Sequence, residues 1–442
     1  MGRQYADPIF EHEKIRRRRR GPVVVLLLLV ILVTAAALVN GFINRQVQLI
    51  RQSVTIPSLS SSLEGFKILH ISDLHGAGFG HGQAGIEATL RNVRYNAVVI
   101  SGDSLSSDGN DAQLMQLITL LDKSVPVFLV AGDEDPPPIL STPHGSASPK
   151  ADYIQRAESF GAIYLDAPYE LQVGNSILWL CPDTVYDTDV DNARLSIENN
   201  RRQLLNDPDS EARSAALRAL DYWLDRIDRT EKALRRMKSG DFKICVTHVP
   251  YSQERLAELR YNDTDGLRNN AKPVSLILAG HLNNGQFRLP VIGTVFVPRA
   301  LGVYGEDRWF PGDGGLSGLS TLYGISQYIS PGLGASSAYS PLSIRFMNPP
   351  AVTLITLTSK LVYESIAWGS FDPPTEPPDG FASRSFGTPG RQIRKVRIFA
   401  PLKWGTFSLP NYDSAPRKCS SRRTCRRCGL QSGGRIPLIT LC

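Results

Sequence analysis

The sequence predicts an α/β domain behind one N-terminal transmembrane helix. Three observations lead there. An uncharged apolar run extends from Gly21 to Phe42, long enough to cross a membrane. Beyond it, six aliphatic runs each end in a charged or His-bearing loop. Between the first three runs lie stretches with helical spacing, such as Ile86, Leu90 and Val93, or Leu114, Leu117 and Leu121. Strands alternating with helices argue an α/β domain whose polar residues gather at the carboxyl ends of strands.

The first element is "GPVVVLLLLVILVTAAALVNGF" (21–42), preceded by "KIRRRRR" (14–20). At 1.5 Å per residue it spans a ~30 Å hydrocarbon core. Arginines on its N-terminal side place residues 1–20 in the cytoplasm as a basic segment, with 21–43 as a single-pass anchor and the rest of the chain extracytoplasmic. A cleaved signal peptide with Ala35-Ala36-Ala37 near the cut is the competing reading. The run exceeds the ~7–15-residue apolar stretch of such signals, which favours the anchor. Residues 44–65 then read as a linker, with "QVQLIRQSVTIPSLSSS" (46–62) a polar stalk leading into a first strand.

Charge excludes one function class. The chain carries +7, but residues 1–45 carry +5 and residues 371–442 carry +9, which leaves −7 for the middle. The basic excess lies in the ends and not on the folded core, so no nucleic-acid partner is expected.

The domain itself is expected over 66–370. Its runs are "KILHISDLH", "AVVISGDS", "PVFLVAGDED", "ILWLCPD", "KICVTHVP" and "SLILAGHLNN". Residues 185–240 break the rhythm: Leu217, Leu220, Leu224, Ile227 and Leu234 recur at helical spacing amid many charges, an inserted amphipathic helix or helical pair. Tyr222 and Trp223 within it are expected to pack on the domain. Cys181 and Cys245 sit in strand-like runs and read as buried thiols. Residues 371–442 are rich in Pro, Gly, Ser and basic residues and read as a disordered tail, with "KVRIFAPL" a possible short strand. Cys425 and Cys428 form a C-x-x-C there without a second pair to complete a zinc site.

The strand ends carry the chemistry: Asp73-x-His75, Gly102-Asp103, Gly132-Asp133-Glu134-Asp135, His248-x-Pro250 and Gly280-His281-x-Asn283. Each alone is a weak signal, because a D-x-H arises by chance and a lone buried His is more often satisfied than ligating. Five in sequence, each closing an apolar run, can converge on one crevice. Asp and His clusters of that kind suit Mn²⁺, Fe or Zn²⁺.

This order resembles the calcineurin-like metallophosphoesterase superfamily, whose pattern runs D-x-H, G-D, G-N-H-[DE], H, G-H-x-H. The resemblance covers roughly residues 66–358 and is closest to the membrane-associated bacterial branch, through "AGHLNNGQFRLPVIG", "YISPGLGAS" and "PAVTLITL". It implies a sandwich of two mixed β-sheets flanked by helices, and two divalent ions, with a single bound ion as the alternative. Carried over position by position, Asp73 and His75 would bind one metal, Asp103 would bridge both, Asp133, His248 and His281 would bind the second, and Asn283 would complete the first. Two cations about 3.5–4 Å apart clamp the phosphoryl oxygens and lower the pKa of bound water. The implied substrate is a phosphate mono- or diester, of envelope or lipid-linked type.

Three family positions are altered. Asn becomes Asp133, His becomes Glu134, and the final His becomes Asn283. A carboxylate replaces an amide ligand readily. Asn283 is a weaker donor than imidazole for transition metals. Glu134, the candidate catalytic position, puts an anion where the family keeps an imidazole. It would be a ligand in a rebuilt site, a protonated acid, or the mark of feeble catalysis, and with Asp135 it could instead cap the turn before Pro136. Two functions follow: a membrane-anchored metal-dependent phosphoesterase, or a pseudo-phosphoesterase serving as a binding module.

Overall fold

In a computed structural model, the described residues are 21–140, 148–261, 266–303, 306–312, 314–340 and 342–360, all within one compact unit, Met1–Ile366. The arginines at 16–20 and the expected tail at 371–442, with its short strand and its C-x-x-C, lie outside them.

Helix α1 (Gly21–Ile43) is apolar and solvent-exposed along its length. Strands β1 (Gln48–Thr55), β2 (Lys67–Ile71), β3 (Ala97–Ser101), β4 (Val127–Val130) and β5 (Ala162–Tyr164) follow, with helices α2 (Ala84–Leu90), α3 (Ala112–Leu120) and α4 (Asp152–Ser159) on the crossovers. Strands β6 (Tyr169–Val173) and β7 (Ser176–Pro182) lead into the pair α5 (Val190–Leu205) and α6 (Glu211–Arg236). Then come β8 (Phe242–Val246), α7 (Gln253–Tyr261) and β9 (Leu276–Ala279). Four two-residue strands form two small ladders: β10 (Arg288–Leu289) with β11 (Gly293–Thr294), and β12 (Phe296–Val297) with β13 (Arg308–Trp309). Strands β14 (Gly318–Leu322), β15 (Ile325–Ile329) and β16 (Ala351–Thr358) end the described chain.

Two six-stranded mixed sheets result, ordered β1-β16-β2-β3-β4-β5 and β14-β15-β9-β8-β7-β6. Strands β2 to β5 run parallel, as do β7, β8, β9 and β15. Alternation along each strand serves two cores at once. Ile68, Val99 and Phe128 meet Leu178, Ile244 and Leu276 between the sheets. Leu69, Ile100 and Leu129 face the other way, onto Ile86, Leu117 and Ile154 of α2, α3 and α4. Trp179, Cys245 and Ile277 back onto Ile227 and Leu234 of α6. Truncating one such fully buried aliphatic to Ala costs ~2–5 kcal/mol. The predicted sandwich of two mixed sheets flanked by helices is therefore observed.

The helical insertion is observed as the α5–α6 pair, begun by Asp189 and Ser210 as N-caps. Tyr222 donates its hydroxyl to Asp166 and is engaged on the domain, whereas the Trp223 ring meets Arg226 and Tyr222 of its own helix. The expectation for 44–65 needs correction. Eight of those residues are β1, paired in parallel along its length with β16. This edge strand keeps only Val54 fully covered, so its sequence is too polar for the alternation to stand out.

Candidate metal centre

Every candidate ligand sits just beyond the carboxyl end of a parallel strand. Asp73 and His75 follow β2, Asp103 follows β3, Asp133 and Glu134 follow β4, His248 follows β8, and His281 and Asn283 follow β9. The two sheets thus aim their strand ends at one crevice. Local backbone makes the aim tight: Asp73 (φ 52°), His75 (44°), Asp103 (49°), His281 (73°) and Asn283 (47°) all occupy the left-handed region. Each such non-glycine conformation costs ~1–3 kcal/mol and persists only where surroundings over-determine it. Cross-loop bonds supply that constraint: Asp73 N–H donates to Gly102 O at 3.0 Å, His75 N–H to Asp103 O at 2.9 Å, and Gly334 N–H to Asp73 O at 2.6 Å.

Two groups emerge. Asp103, Asp133, His248 and His281 offer ligand atoms within 4.8 Å of one another, and so do Asp73, His75 and Asp103. Asp103 belongs to both. In the first group, Asp133 Oδ1 lies 2.9 Å from both His248 Nε2 and His281 Nδ1, and Asp103 Oδ2 lies 3.1 Å from His248 Nε2. Its ring orientation is fixed from behind, where His248 Nδ1 meets Ser101 O at 2.8 Å, turning Nε2 into the crevice. In the second group, Asp73 is fully buried and accepts the His281 N–H at 2.7 Å. His75 Nε2 approaches Asp103 Oδ2 to 3.7 Å.

Asn283 completes the arrangement from β9. It is fully buried, its Nδ2 lies 3.4 Å from His75 Nε2, and its Oδ1 has no hydrogen-bond partner among the described residues. An orphaned buried oxygen beside two carboxylates and an imidazole fits a cation. Glycines make room for it: a Cβ on Gly132 would stand 2.0 Å from Asp103 Oδ1, and one on Gly332 2.9 Å from Asn283 Oδ1.

Electrostatics agree with a cation site. Burial opposes charge on Asp103 and Asp133, yet the facing imidazoles outweigh it. Both carboxyls lie below their ordinary range, Asp133 far below. Burial likewise opposes charge on His248, but Asp103 and Asp133 hold its pKa well above the usual histidine value. A proton on His248 then stands where a cation would, and a metal binding there displaces it. Both groups fit divalent ions.

Glu134 does not join either group. Its Oε1 accepts the Ser336 hydroxyl, and its Oε2 accepts the Ser337 hydroxyl at 3.2 Å and N–H at 3.4 Å. His75 Nδ1 lies 3.6 Å from Oε2, beyond hydrogen-bond distance. Of the three roles open to Glu134, that of a ligand in a rebuilt site is the one this geometry does not present. Asp135, for which a cap of the turn before Pro136 was one alternative, ties two loops together. Buried, it accepts N–H groups from Ser104, Leu105 and Gly132, each at 2.9 Å, and so pins the β3 loop to the β4 loop. Sequence reading assigned no role to Ser101, Ser336, Ser337 or Asn348. Only the run "SPGLGASS" carried a hint, as a small-residue loop after β15.

Residues 66–284 match the calcineurin-like phosphoesterase family. The uncharacterized metallophosphoesterase YkuE of Bacillus subtilis (strain 168) is 28% identical over 129 residues, which are 29% of this chain and 35% of that protein. Among solved structures, phosphopantetheinyl hydrolase (PptH) from Mycobacterium tuberculosis is similar with 11% identity and a TM-score of 0.29, over 60% of this chain and 89% of its own. Residues 66–284 of this chain thus carry the calcineurin-like phosphoesterase domain.

Proposed function

We propose that the chain is a membrane-anchored, metal-dependent phosphoesterase whose substrate is a phosphate mono- or diester presented at a membrane, such as a lipid-linked or envelope phosphate. The observation that carries the reading is the sharing of Asp103 between two ligand groups. Asp73, His75, Asp103 and Asn283 would hold one ion, and Asp103, Asp133, His248 and His281 the other. Bound there, two divalent cations supply the charge that orients a phosphoryl group and activates water. This chain's own residues do the rest. Ser101 holds the His248 ring, Asp135 sets the distance between the Asp103 and Asp133 loops, and buried Asp73 fixes the His281 backbone. Against two divalent ions, three liganding carboxylates leave a formal charge of about +1, less than an Asn at position 133 would leave. Helix α1 would cross the membrane, with the N-terminus cytoplasmic and the domain outside.

One observation favours the second reading, a pseudo-phosphoesterase. The Glu134 carboxylate stands beside His75 and would repel a phosphate. Turnover of an aryl phosphodiester by the full chain in detergent, titrated with Mn²⁺, separates the two. We expect low but metal-dependent turnover in the wild type, abolished by Asp103→Ala and raised by the triple variant Asp133→Asn/Glu134→His/Asn283→His. No turnover in the wild type with any metal, together with a gain in the triple variant, would assign the binding module. Damage by Glu134→His alone would make Glu134 part of a retuned mechanism.

A further inference from the structure

Helix α1 does not end on a spacer. Asn40 Nδ2 donates to Arg345 O at 3.1 Å, Asn44 Nδ2 to the same oxygen at 2.6 Å, and Met347 N–H to Asn40 Oδ1 at 2.8 Å. A 23-residue helix is ~35 Å long, so its last turn reaches the edge of a ~30 Å hydrocarbon core. Residues 344–347 are therefore held at that edge.

The same segment grips the chain beyond β9. Arg288 N–H donates to Phe346 O at 3.0 Å, Phe346 N–H donates to Gln286 O at 3.1 Å, and the Phe287 and Phe346 rings stack at 4.7 Å. From Arg288 the β10–β11 hairpin projects to a tip at Val291 and Ile292. Three residues at ~3.3 Å each put that tip within ~10 Å of Arg288, itself bonded to Phe346. Val291 is fully exposed in a left-handed conformation (φ 68°), and Ile292 is more than half exposed. On the adjoining ladder Trp309 packs against Phe296 at 4.6 Å, and Phe310 N–H donates to Val295 O at 2.8 Å, yet both rings stay more than half exposed. Ile344, next to the residue that holds α1, is exposed as well.

Water is a poor neighbour for five large apolar side chains on one edge. Trp and Phe on aliphatic tips suit the membrane interface, where a ring meets headgroups and acyl chains together. We propose that Val291, Ile292, Trp309, Phe310 and Ile344 form a second membrane contact, which dips into the lipid surface beside α1 and seats the metal crevice on the bilayer. The seat and the crevice are joined: Asn348 Nδ2 donates to Asn283 O at 2.9 Å, and the hairpin begins directly after the β9 loop that carries His281 and Asn283. The proposal rests on α1 spanning the membrane. It adds that the crevice works at the lipid surface and not at the end of a stalk.

Spin labels on the full chain in phosphatidylcholine–phosphatidylglycerol vesicles test it, at Val291→Cys, Phe310→Cys, Leu28→Cys within α1, and Ser239→Cys. Ser239 is exposed and precedes β8, at the opposite end of the sheet from the crevice. The native cysteines are replaced throughout, and each variant must retain the parent's thermal midpoint. Labels at 28, 291 and 310 should collide with oxygen several-fold more, relative to a water-soluble nickel complex, than the label at 239. A lipid-exposed label at 28 with water-exposed labels at 291 and 310 would overturn the second contact alone. A water-exposed label at 28 would overturn the anchor and the proposal with it. Burial at 291 and 310 that vanishes on dilution of protein in lipid would assign the surface to a second copy of the chain and overturn the lipid contact.

Discussion

Asp103 accepts the backbone N–H of Glu134 on Oδ1 at 2.9 Å. The carboxylate common to both ligand groups is thereby fixed by the loop that carries Asp133. Its other oxygen is left to His248 and His75.

Metal content should follow that sharing. Asp103→Ala is expected to lose both ions, whereas Asn283→Ala should lose at most one. Elemental analysis of the two purified variants decides it. Equal metal in wild type and Asp103→Ala would remove the metal reading.

Asp135 should matter for stability more than for chemistry. Asp135→Ala leaves three backbone N–H groups without their acceptor, at a cost of about 3 kcal/mol. Asp135→Asn keeps the oxygen facing Ser104 and Leu105 and should cost less. Denaturant midpoints of the two variants test this ranking, and an unshifted midpoint in Asp135→Ala would sink it.

His70 gives a pH signature apart from the ligands. Its ring is fully buried, with Nε2 2.8 Å from Ser101 Oγ and Nδ1 unpartnered among the described residues. Burial pushes its pKa down to about 3, from 6.5. The unfolded chain therefore takes up the proton first. Stability is fully present above ~6.5 and is lost as pH falls from there toward 3, by about 2 kcal/mol between pH 6.5 and 5. His70→Gln should flatten that slope. Denaturant unfolding in chelator at pH 7, 6 and 5 measures it, and parallel slopes for both proteins would reject the assignment.

Much of this site was legible in the sequence because strand ends announce themselves. An aliphatic run into Gly-Asp or Gly-His fixes both the element and the end of the crevice on which its polar residue lies. The amphipathic α6 was legible for the same reason, with one apolar face and many charges. What escaped was information carried by direction and by distant partners. Nothing local says that Glu134 turns toward Ser336, some two hundred residues away, or that Asp135 turns back toward Ser104. Left-handed backbone at Asp73 or His281 is equally silent, because it is imposed by bonds across loops. Strand β1 was missed because pairing with β16, rather than its own alternation, makes it a strand.

That pairing also sets a timetable. Gln48 and its register partner Ala351 are separated by about 300 residues of synthesis, roughly 15–60 s at ~5–20 residues per second. Throughout that interval β1 is already made, and the strand it pairs with among the described residues does not yet exist. A nascent chain paused anywhere before β16 therefore carries an open edge next to its apolar helix, exposed to pairing with a neighbouring chain. The last described strand to emerge is the one that closes the first.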